Sequence, residues 1–346
     1  MHKRLLLKKN ILLLGMKRTG IKDLAKLLSL NPSTVSRALA DHPDISPETK
    51  TRVKKAAIEF NYLPNLHARY FRQKNSGLIA LILPEFNMFF IPELMEGINS
   101  VIVNSGYSMI IFFSDNSIER EKEIISHCLS WVVEGVLISV SENTFDCDHF
   151  YVLKNAGIPV VMLDKVIFSP EFTSVTIDDK VAAFNGTKHL IDNDKQNILG
   201  IFGNPRLEIT KNRLAGFKEC LSNHHILHSD YDIVYLYHDF MNTDVLEEKL
   251  RKTPFDAVFF MSDELFMTVY PTLLKLNLFP EKTSIVAISD GKMPYQIYPR
   301  ISHIKHSGFE IGKTAAEALL RRMQGVSEIQ HIEIETTLVS LESVFI

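Results

Sequence analysis

From Gly77 onward the chain repeats one pattern, a short β-branched or aromatic run followed by an amphipathic stretch. "LIALILP" (78–84) reads as a buried strand, "ELMEGINSVIVNSG" as a helix ending at Gly106, and "YSMIIFFSD" as a second strand. A helix over 118–131, the strand "GVLISVS", a helix near 144–156 and the strand "PVVML" continue the series. Nearly unbroken apolar runs alternating with helices leave few options besides a parallel sheet covered on both faces. The series starts afresh with a helix from Asp179 to about Ile191. "NILGIF", a helix 212–223, "DIVYLY", a helix 244–252, "DAVFFM", a helix 263–276 and "SIVAIS" then follow. A helix 309–324 and extended pieces near 329–345 close the chain. Two similar α/β lobes in tandem predict a cleft between them, with strand ends and loops facing it.

The beginning of the chain obeys another rule. "IKDLAKLLSLNPSTVSRALA" places Leu24, Leu27 and Leu28 at i, i+3, i+4, one apolar helix face. A three-residue turn follows, and Asn31 with Pro32 behind it forms a strong helix-start signal. In that second helix Val35, Ala38 and Leu39 face inward, which leaves Ser33, Thr34, Ser36 and Arg37 outside near its N-terminus. A third helix starts with Ser46 as cap and Pro47 at N1, and buries Val53, Ala57 and Phe60. Its Lys50, Arg52, Lys54 and Lys55 stay exposed. Two helices joined by a short turn, the second showing hydrogen-bonding side chains at its start, make a helix-turn-helix headpiece. Pro64 then breaks the chain, Asn65 can cap, and Leu66 to Arg72 can form about two helical turns, too few to be stable alone in water. That segment is expected to fold only against a partner, with Gln73 to Gly77 as a linker.

Charge separates the same two regions. Residues 1–75 hold 16 of the 38 Lys+Arg and 5 of the 41 Asp+Glu, a net +11, whereas the remainder carries −14. A basic end on an acidic body predicts different partners for the two, with a polyanion for the first. "MHKRLLLKKNILLLG" resembles a signal peptide, but Lys8-Lys9-Asn10 divides its apolar stretch into pieces too short to span a bilayer or to serve as an h-region. The expected organisation is an unstructured extension over 1–19 (Met16 being an alternative start), a headpiece over 20–64, a hinge helix and linker over 65–77, and a two-lobed effector-binding and dimerisation body over 78–346. Three separated cysteines, Cys128, Cys147 and Cys220, form neither a disulfide framework nor a metal signature, which predicts a reducing, cytoplasmic setting. No cofactor or metal is expected. GxGxxG after the first strand, a P-loop, HExxH and GxSxG are all missing, so an enzyme is not expected. "HHILH" at 224–228 reads as a solvated loop.

The order of headpiece, hinge and two-lobed body resembles the lac repressor family of bacterial transcription regulators. "IKDLAKLLSLNPSTVSRAL", "ISPETKTRV", "NYLPNLHAR", "NRLAGF", "AISDG" and "IKHSGFEIGKTAAEALL" carry the likeness, which runs from about residue 20 to 345. It implies an all-α helix-turn-helix headpiece joined to an α/β body of the type I periplasmic-binding-protein-like class, with parallel sheets. The helix beginning at Pro32 is then similar to a recognition helix, in which Asn31, Ser33, Thr34, Ser36 and Arg37 would reach bases and phosphates. Arg37 is best suited to a guanine edge. Tyr62 and Asn65 match phosphate-contact positions, with Ser46 a further candidate. Ala68 and Phe71 match hinge-helix positions that enter the minor groove, where the family usually places Leu as the wedge and this chain has Phe71. Ser29 stands in place of the usual turn Gly, Gly20 where a phosphate-contacting Thr is common, Ala40 where Asn is common, and Leu341 where Arg is frequent. In the cleft, Arg213 and Asp290 match effector-holding positions, Phe89 and Phe90 match a loop of pocket aromatics, and Asp164 and Asp263 sit after strands.

The resemblance implies a homodimeric, sequence-specific repressor on a pseudo-palindromic operator, controlled by a small molecule such as a sugar, located in the cytoplasm with the nucleoid and making no use of a membrane. Inducer and corepressor remain equally open at this stage. A sugar receptor serving a transporter would account for the body alone but not for the basic headpiece. A sugar-processing enzyme would need the catalytic motifs that are missing.

Overall fold

The computed structural model describes residues 19–60, 62, 76–86, 89–226, 232–237 and 243–345. The expected extension with Met16, and the hinge residues Asn65, Ala68 and Phe71, lie outside the described residues. The chain divides into two compact units between Asn75 and Ser76.

In the first unit α1 (Ile21–Leu28), α2 (Pro32–Leu39) and α3 (Pro47–Glu59) enclose one small core. Leu24, Ala25, Leu28, Val35, Ala38, Val53, Ala56 and Ala57 are buried there. Leu27, Leu39 and Phe60, expected inside, are only partly covered, because helices this short put their terminal turns at the edge of the core. The turn between α1 and α2 runs through Ser29 in the left-handed region (φ 54°), where its N–H donates to the Lys26 carbonyl at 3.3 Å. A side chain with a Cβ is strained in that conformation by roughly 1–2 kcal/mol, part of which glycine's greater chain entropy would offset. Ser29→Gly is therefore expected to stabilise the headpiece by about 0.5–1 kcal/mol, read as a raised unfolding midpoint of its helical signal. A lowered midpoint would mean that the turn is relaxed with serine.

The second unit holds two six-stranded sheets. The first has β1 (Leu78–Leu83), β2 (Ser108–Phe113), β3 (Gly135–Ile138), β4 (Val160–Leu163), β5 (Thr173–Ile177) and β11 (His331–Ile334), in the order β11-β5-β4-β3-β1-β2, all parallel. Strand periodicity sorts its residues into two cores. Ile79, Leu81, Leu83, Leu137 and Val161 face α4 (Ile91–Ile102) and α11 (Gly308–Met323). Ala80, Ile82, Val136, Ile138 and Met162 face α5 (Ile118–Ser130) and the region of α6 (Tyr151–Asn155).

The second sheet has β6 (Ile198–Phe202), β7 (Ile233–Tyr235), β8 (Ala257–Phe260), β9 (Ser284–Ser289), β10 (Ser302–Lys305) and β12 (Thr337–Val339), in the order β12-β10-β9-β8-β6-β7. Only β12 runs antiparallel. α7 (Asp179–Ile191) and α8 (Glu208–Asn223) pack together against it, with α9 (Thr243–Lys252) and α10 (Asp263–Lys275) completing the lobe.

The lobes are not a simple tandem. The chain crosses from the first to the second between β5 and α7, returns between β10 and α11, and crosses again between β11 and β12. β5 and β10 were not expected as strands, because "TSVTI" and "SHIK" lack apolar runs, yet nearly all of their residues are buried. Their polar groups bind the returning C-terminal segment instead: Ser174 Oγ meets His331 Nδ1 at 2.8 Å, and the Leu341 N–H donates to Ser302 Oγ at 2.8 Å. α8 starts at Glu208 rather than 212, since its N-cap Leu207 gives no side-chain signal. The helix expected near 144–156 shrinks to a 3-10 turn and α6, because Ser141 and Thr144 donate to the buried Glu121 carboxylate at 2.7 and 2.9 Å.

Candidate DNA interface and candidate ligand cleft

On α2, burial of Val35 and Ala38 turns Ser33 and Arg37 fully outward and leaves Thr34 and Ser36 half-buried. Asn31 occupies the N-cap position in extended conformation (φ −71°, ψ 144°), but its side chain makes no capping bond. The expected side-chain cap at Asn31 is thus corrected: the fixed φ of Pro32 starts the helix, and the Asn31 amide stays outside, exposed. Ser46 does cap, its Oγ accepting from the Thr49 N–H at 3.3 Å, and remains exposed. Tyr62 is half-buried, and its N–H donates to the Ala57 carbonyl at 2.9 Å.

The cations of α3, expected to be merely exposed, are largely committed to the headpiece itself. Lys54 pairs with Asp41 at 2.7 Å, Lys50 Nζ donates to the Asp41 carbonyl at 3.0 Å, and Arg52 donates to the Leu28 carbonyl at 2.8 Å. Arg37 differs: its carbonyl accepts the His42 N–H at 3.0 Å, but its guanidinium makes no hydrogen bond or ion pair among the described residues. An exposed guanidinium beside hydroxyls at a helix start is equipped to donate to phosphates and base edges.

In the body, a cavity of about 210 Å³ is lined from both lobes. Most of its polar residues follow the carboxyl ends of strands: Asp164 after β4, Asn204 after β6, Asp263 after β8, Asp290 after β9 and His306 after β10. Ligand sites in open parallel sheets form at these ends, where adjacent loops diverge. Phe90, Asp164, Arg213, Asp263 and Asp290 all line this cavity. Phe89 does not; it is part-exposed, and its backbone N–H donates to Glu264 Oε1 at 3.2 Å.

Each charged group has a definite setting. Arg213 is buried in α8, its Nε donating to Asp179 Oδ1 at 2.8 Å and its Nη1 to the Met261 carbonyl. Burial pushes the Asp179 carboxyl up to about 6, against the opposing pull of Arg213. Asp164 sits in the left-handed region (φ 58°), and burial raises its pKa. Asp263 accepts from Ser289 Oγ at 2.8 Å, while burial, with Glu264 beside it, holds its carboxyl well above the ordinary range. Asp290 Oδ1 accepts the Lys292 N–H at 3.0 Å in a tight turn completed by Gly291 (φ 90°), and burial raises its pKa too. Burial, with Arg213 and His303 nearby, depresses His306 to about 3, so its ring is neutral at physiological pH. Asp263 Oδ1, Asp290 Oδ2 and His306 Nδ1 are buried without a hydrogen-bond partner.

Bonds from lobe to lobe surround the cavity. Besides Phe89 to Glu264, Lys292 Nζ pairs with Glu93 at 3.2 Å, Asn204 Nδ2 donates to the Glu142 carbonyl at 3.4 Å, and the Arg206 guanidinium lies 3.5 Å over the Phe145 ring. Asp179 and His306 were missed as site residues. In the sequence Asp179 reads only as the start of a helix, and no signal there pairs it with Arg213. His306 stands inside "IKHSG", where its position after a strand end could have flagged it. Among the described residues no cluster of His, Cys, Asp or Glu is arranged to hold a metal ion, and no helix is long and apolar enough to cross a membrane.

Two family models match the chain: bacterial regulatory proteins of the lacI family over residues 20–65, and the periplasmic binding protein-like domain over 187–344. The ribose operon repressor of Haemophilus influenzae is 26% identical over 332 residues, covering 94% of this chain and 98% of that protein. Among solved structures, the lac repressor dimer bound to operator and an anti-inducer superposes with a TM-score of 0.82 at 20% identity, covering 95% and 100% of the two chains. A LacI family regulator from Enterococcus faecium with bound ribose gives a TM-score of 0.68 at 24% identity, covering 78% and 98%. The two models together span more than half of the chain and fall on the two units whose geometry is described above. The chain carries a DNA-binding domain of the lacI family of bacterial regulatory proteins, followed by a periplasmic-binding-protein-like domain.

Proposed function

We propose that this DNA-binding regulator is a homodimeric repressor whose operator affinity is set by a sugar-like molecule held in the cleft between its two lobes. The observation that carries the reading is the cavity at the strand ends, lined from both lobes by Asp164, Arg213, Asp263 and Asp290. Carboxylates and a guanidinium can each engage neighbouring hydroxyls of one ring, and the buried Phe90 in the lining offers an apolar surface. The names of two relatives, a ribose operon repressor and a regulator with bound ribose, support the same ligand class.

A ligand that touches both lobes favours the lobe arrangement in which its contacts are complete, and it shifts the equilibrium by its differential affinity for the two arrangements. The bonds that join the lobes, such as Lys292 to Glu93, are the contacts redistributed in that shift. The first lobe begins at Leu78, directly after the segment 65–77 in the chain, and that segment would carry the shift to the headpiece. On DNA, two copies of α2 would read the half-sites of a pseudo-palindrome.

Selecting bound duplexes from a random pool, with and without candidate sugars, tests this reading. Enrichment of a palindrome whose recovery changes with one sugar is expected; no palindrome under any ligand condition would overturn it. Within such a site, Arg37→Ala is expected to reduce discrimination at one base pair per half-site by about 1–3 kcal/mol. Tyr62→Phe, which removes a neutral phosphate contact, should instead weaken all sequences alike and leave base preference and the salt dependence of binding nearly unchanged. Unchanged base preference in Arg37→Ala would remove Arg37 from the reading surface.

A further inference from the structure

The cleft is charged in one sense. Glu85, Glu142, Asp164, Asp263, Glu264 and Asp290 line it, against Lys165 and Arg213 as the only cations among the described lining residues. Arg213 is already engaged by Asp179 and the Met261 carbonyl, and His306 adds no positive charge at physiological pH. Two carboxylate oxygens among the described residues are buried and lack any partner, Asp263 Oδ1 and Asp290 Oδ2, and both residues belong to this one cavity. They follow the adjacent strands β8 and β9, close enough for the charge of Asp290 to act on Asp263. A buried acceptor left empty is costly, and a charged one more so.

We propose that the ligand is a polyhydroxylated amine: a sugar-like molecule whose protonated amino group is received by Asp263 and Asp290. The inference rests on the sugar-like reading above and narrows it. A hydroxyl has one proton to donate and so serves one of the two oxygens. An ammonium has three N–H donors and a charge, so it can serve both oxygens and favours the ionised form of the Asp263 carboxyl, which burial and Glu264 otherwise hold toward neutrality. A phosphorylated or carboxylated ligand would meet the surplus of acidic groups, with only Lys165 and the already engaged Arg213 to receive it among the described lining residues.

Calorimetric titration of the full chain tests this with matched sets on three scaffolds, glucose, galactose and mannose. Each scaffold is supplied as the neutral sugar, the 2-amino sugar, its N-acetyl form and the 6-phosphate. On the scaffold that binds, the amino form is expected to bind at least about tenfold more tightly than the neutral and N-acetyl forms, since hydrogen bonds assisted by charge are roughly twice as strong as neutral ones. Asp263→Asn and Asp290→Asn should each bring that ratio toward one, with retained operator binding as the control for folding. A neutral sugar or a phosphate that binds as tightly as the amine overturns the inference and leaves the sugar reading standing. A ratio unchanged in both variants also overturns it, because the amine is then received elsewhere. Absence of binding by every member at millimolar concentration overturns the inference, while the sugar reading itself is decided by the duplex selection with other sugars, ribose included.

Discussion

Arg213→Ala is expected to lower the stability of the body by about 3–5 kcal/mol at pH 8, the range for breaking one side of a buried ion pair, and by much less at pH 5. The dependence on pH follows from Asp179. Its carboxyl titrates at about 6 in the folded chain, above the value near 3.9 of an unfolded aspartate. Ionising it therefore removes stability as pH rises from about 4 through 6, and Arg213 limits that loss through the 2.8 Å bond from its Nε. Without Arg213 the carboxyl at pH 8 must either ionise with no partner or hold its proton unfavourably. At pH 5 it is largely protonated with or without the arginine, and little changes. Urea unfolding of both proteins at the two pH values measures this. An equal penalty at pH 5 and pH 8 would mean that Arg213 acts by packing alone. Asp179→Asn should lack the pH dependence, since its side-chain oxygen still accepts from Nε but cannot titrate.

The same pair shows what was legible in the sequence. Arg213 and Asp290 stand in short strings, "NRLAGF" and "AISDG", whose likeness to the family's effector-holding positions pointed to a cleft, and both do line one cavity. Asp179 could not be read, because its role comes from packing of α7 against α8, 34 residues apart in sequence. The strands that were legible, such as "LIALIL" and "SIVAIS", have a strand on either side in their sheets and are buried by apolar side chains on both faces. β5 and β10 are not legible because hydroxyls take part in their burial, those of Ser174 and Ser302 being satisfied by the C-terminal segment rather than by neighbours in sequence. The exchange of α11 and β11 into the first lobe was hidden for a related reason. Periodicity gives the elements and their order, whereas membership of a sheet is decided by pairing over long distances, here Ile332 of β11 with Val175 of β5.

The last expectation joins the motif to the site. Gly216 lies three residues beyond Arg213 on the same face of α8, where helix α7 approaches so closely that a Cβ would fall 2.0 Å from the Lys180 carbonyl oxygen. That neighbour is backbone and cannot turn aside, so Gly216→Ala must push α8 away from α7. The stability lost should reach or exceed the roughly 1–3 kcal/mol typical of over-packing. Asp179 and Lys180 are consecutive, so the same displacement lengthens the Arg213–Asp179 bond and should weaken ligand binding along with stability. Gly203→Ala is the contrast: it lines the same cavity, but its nearest obstacle is Met261 Sδ at 3.6 Å, an ordinary contact, and its unfolding temperature should stay near that of the parent. Should Gly216→Ala unfold together with the parent protein, the glycine would not set the helix spacing, and "NRLAGF" would need another physical reason than the close approach that brings its arginine to Asp179.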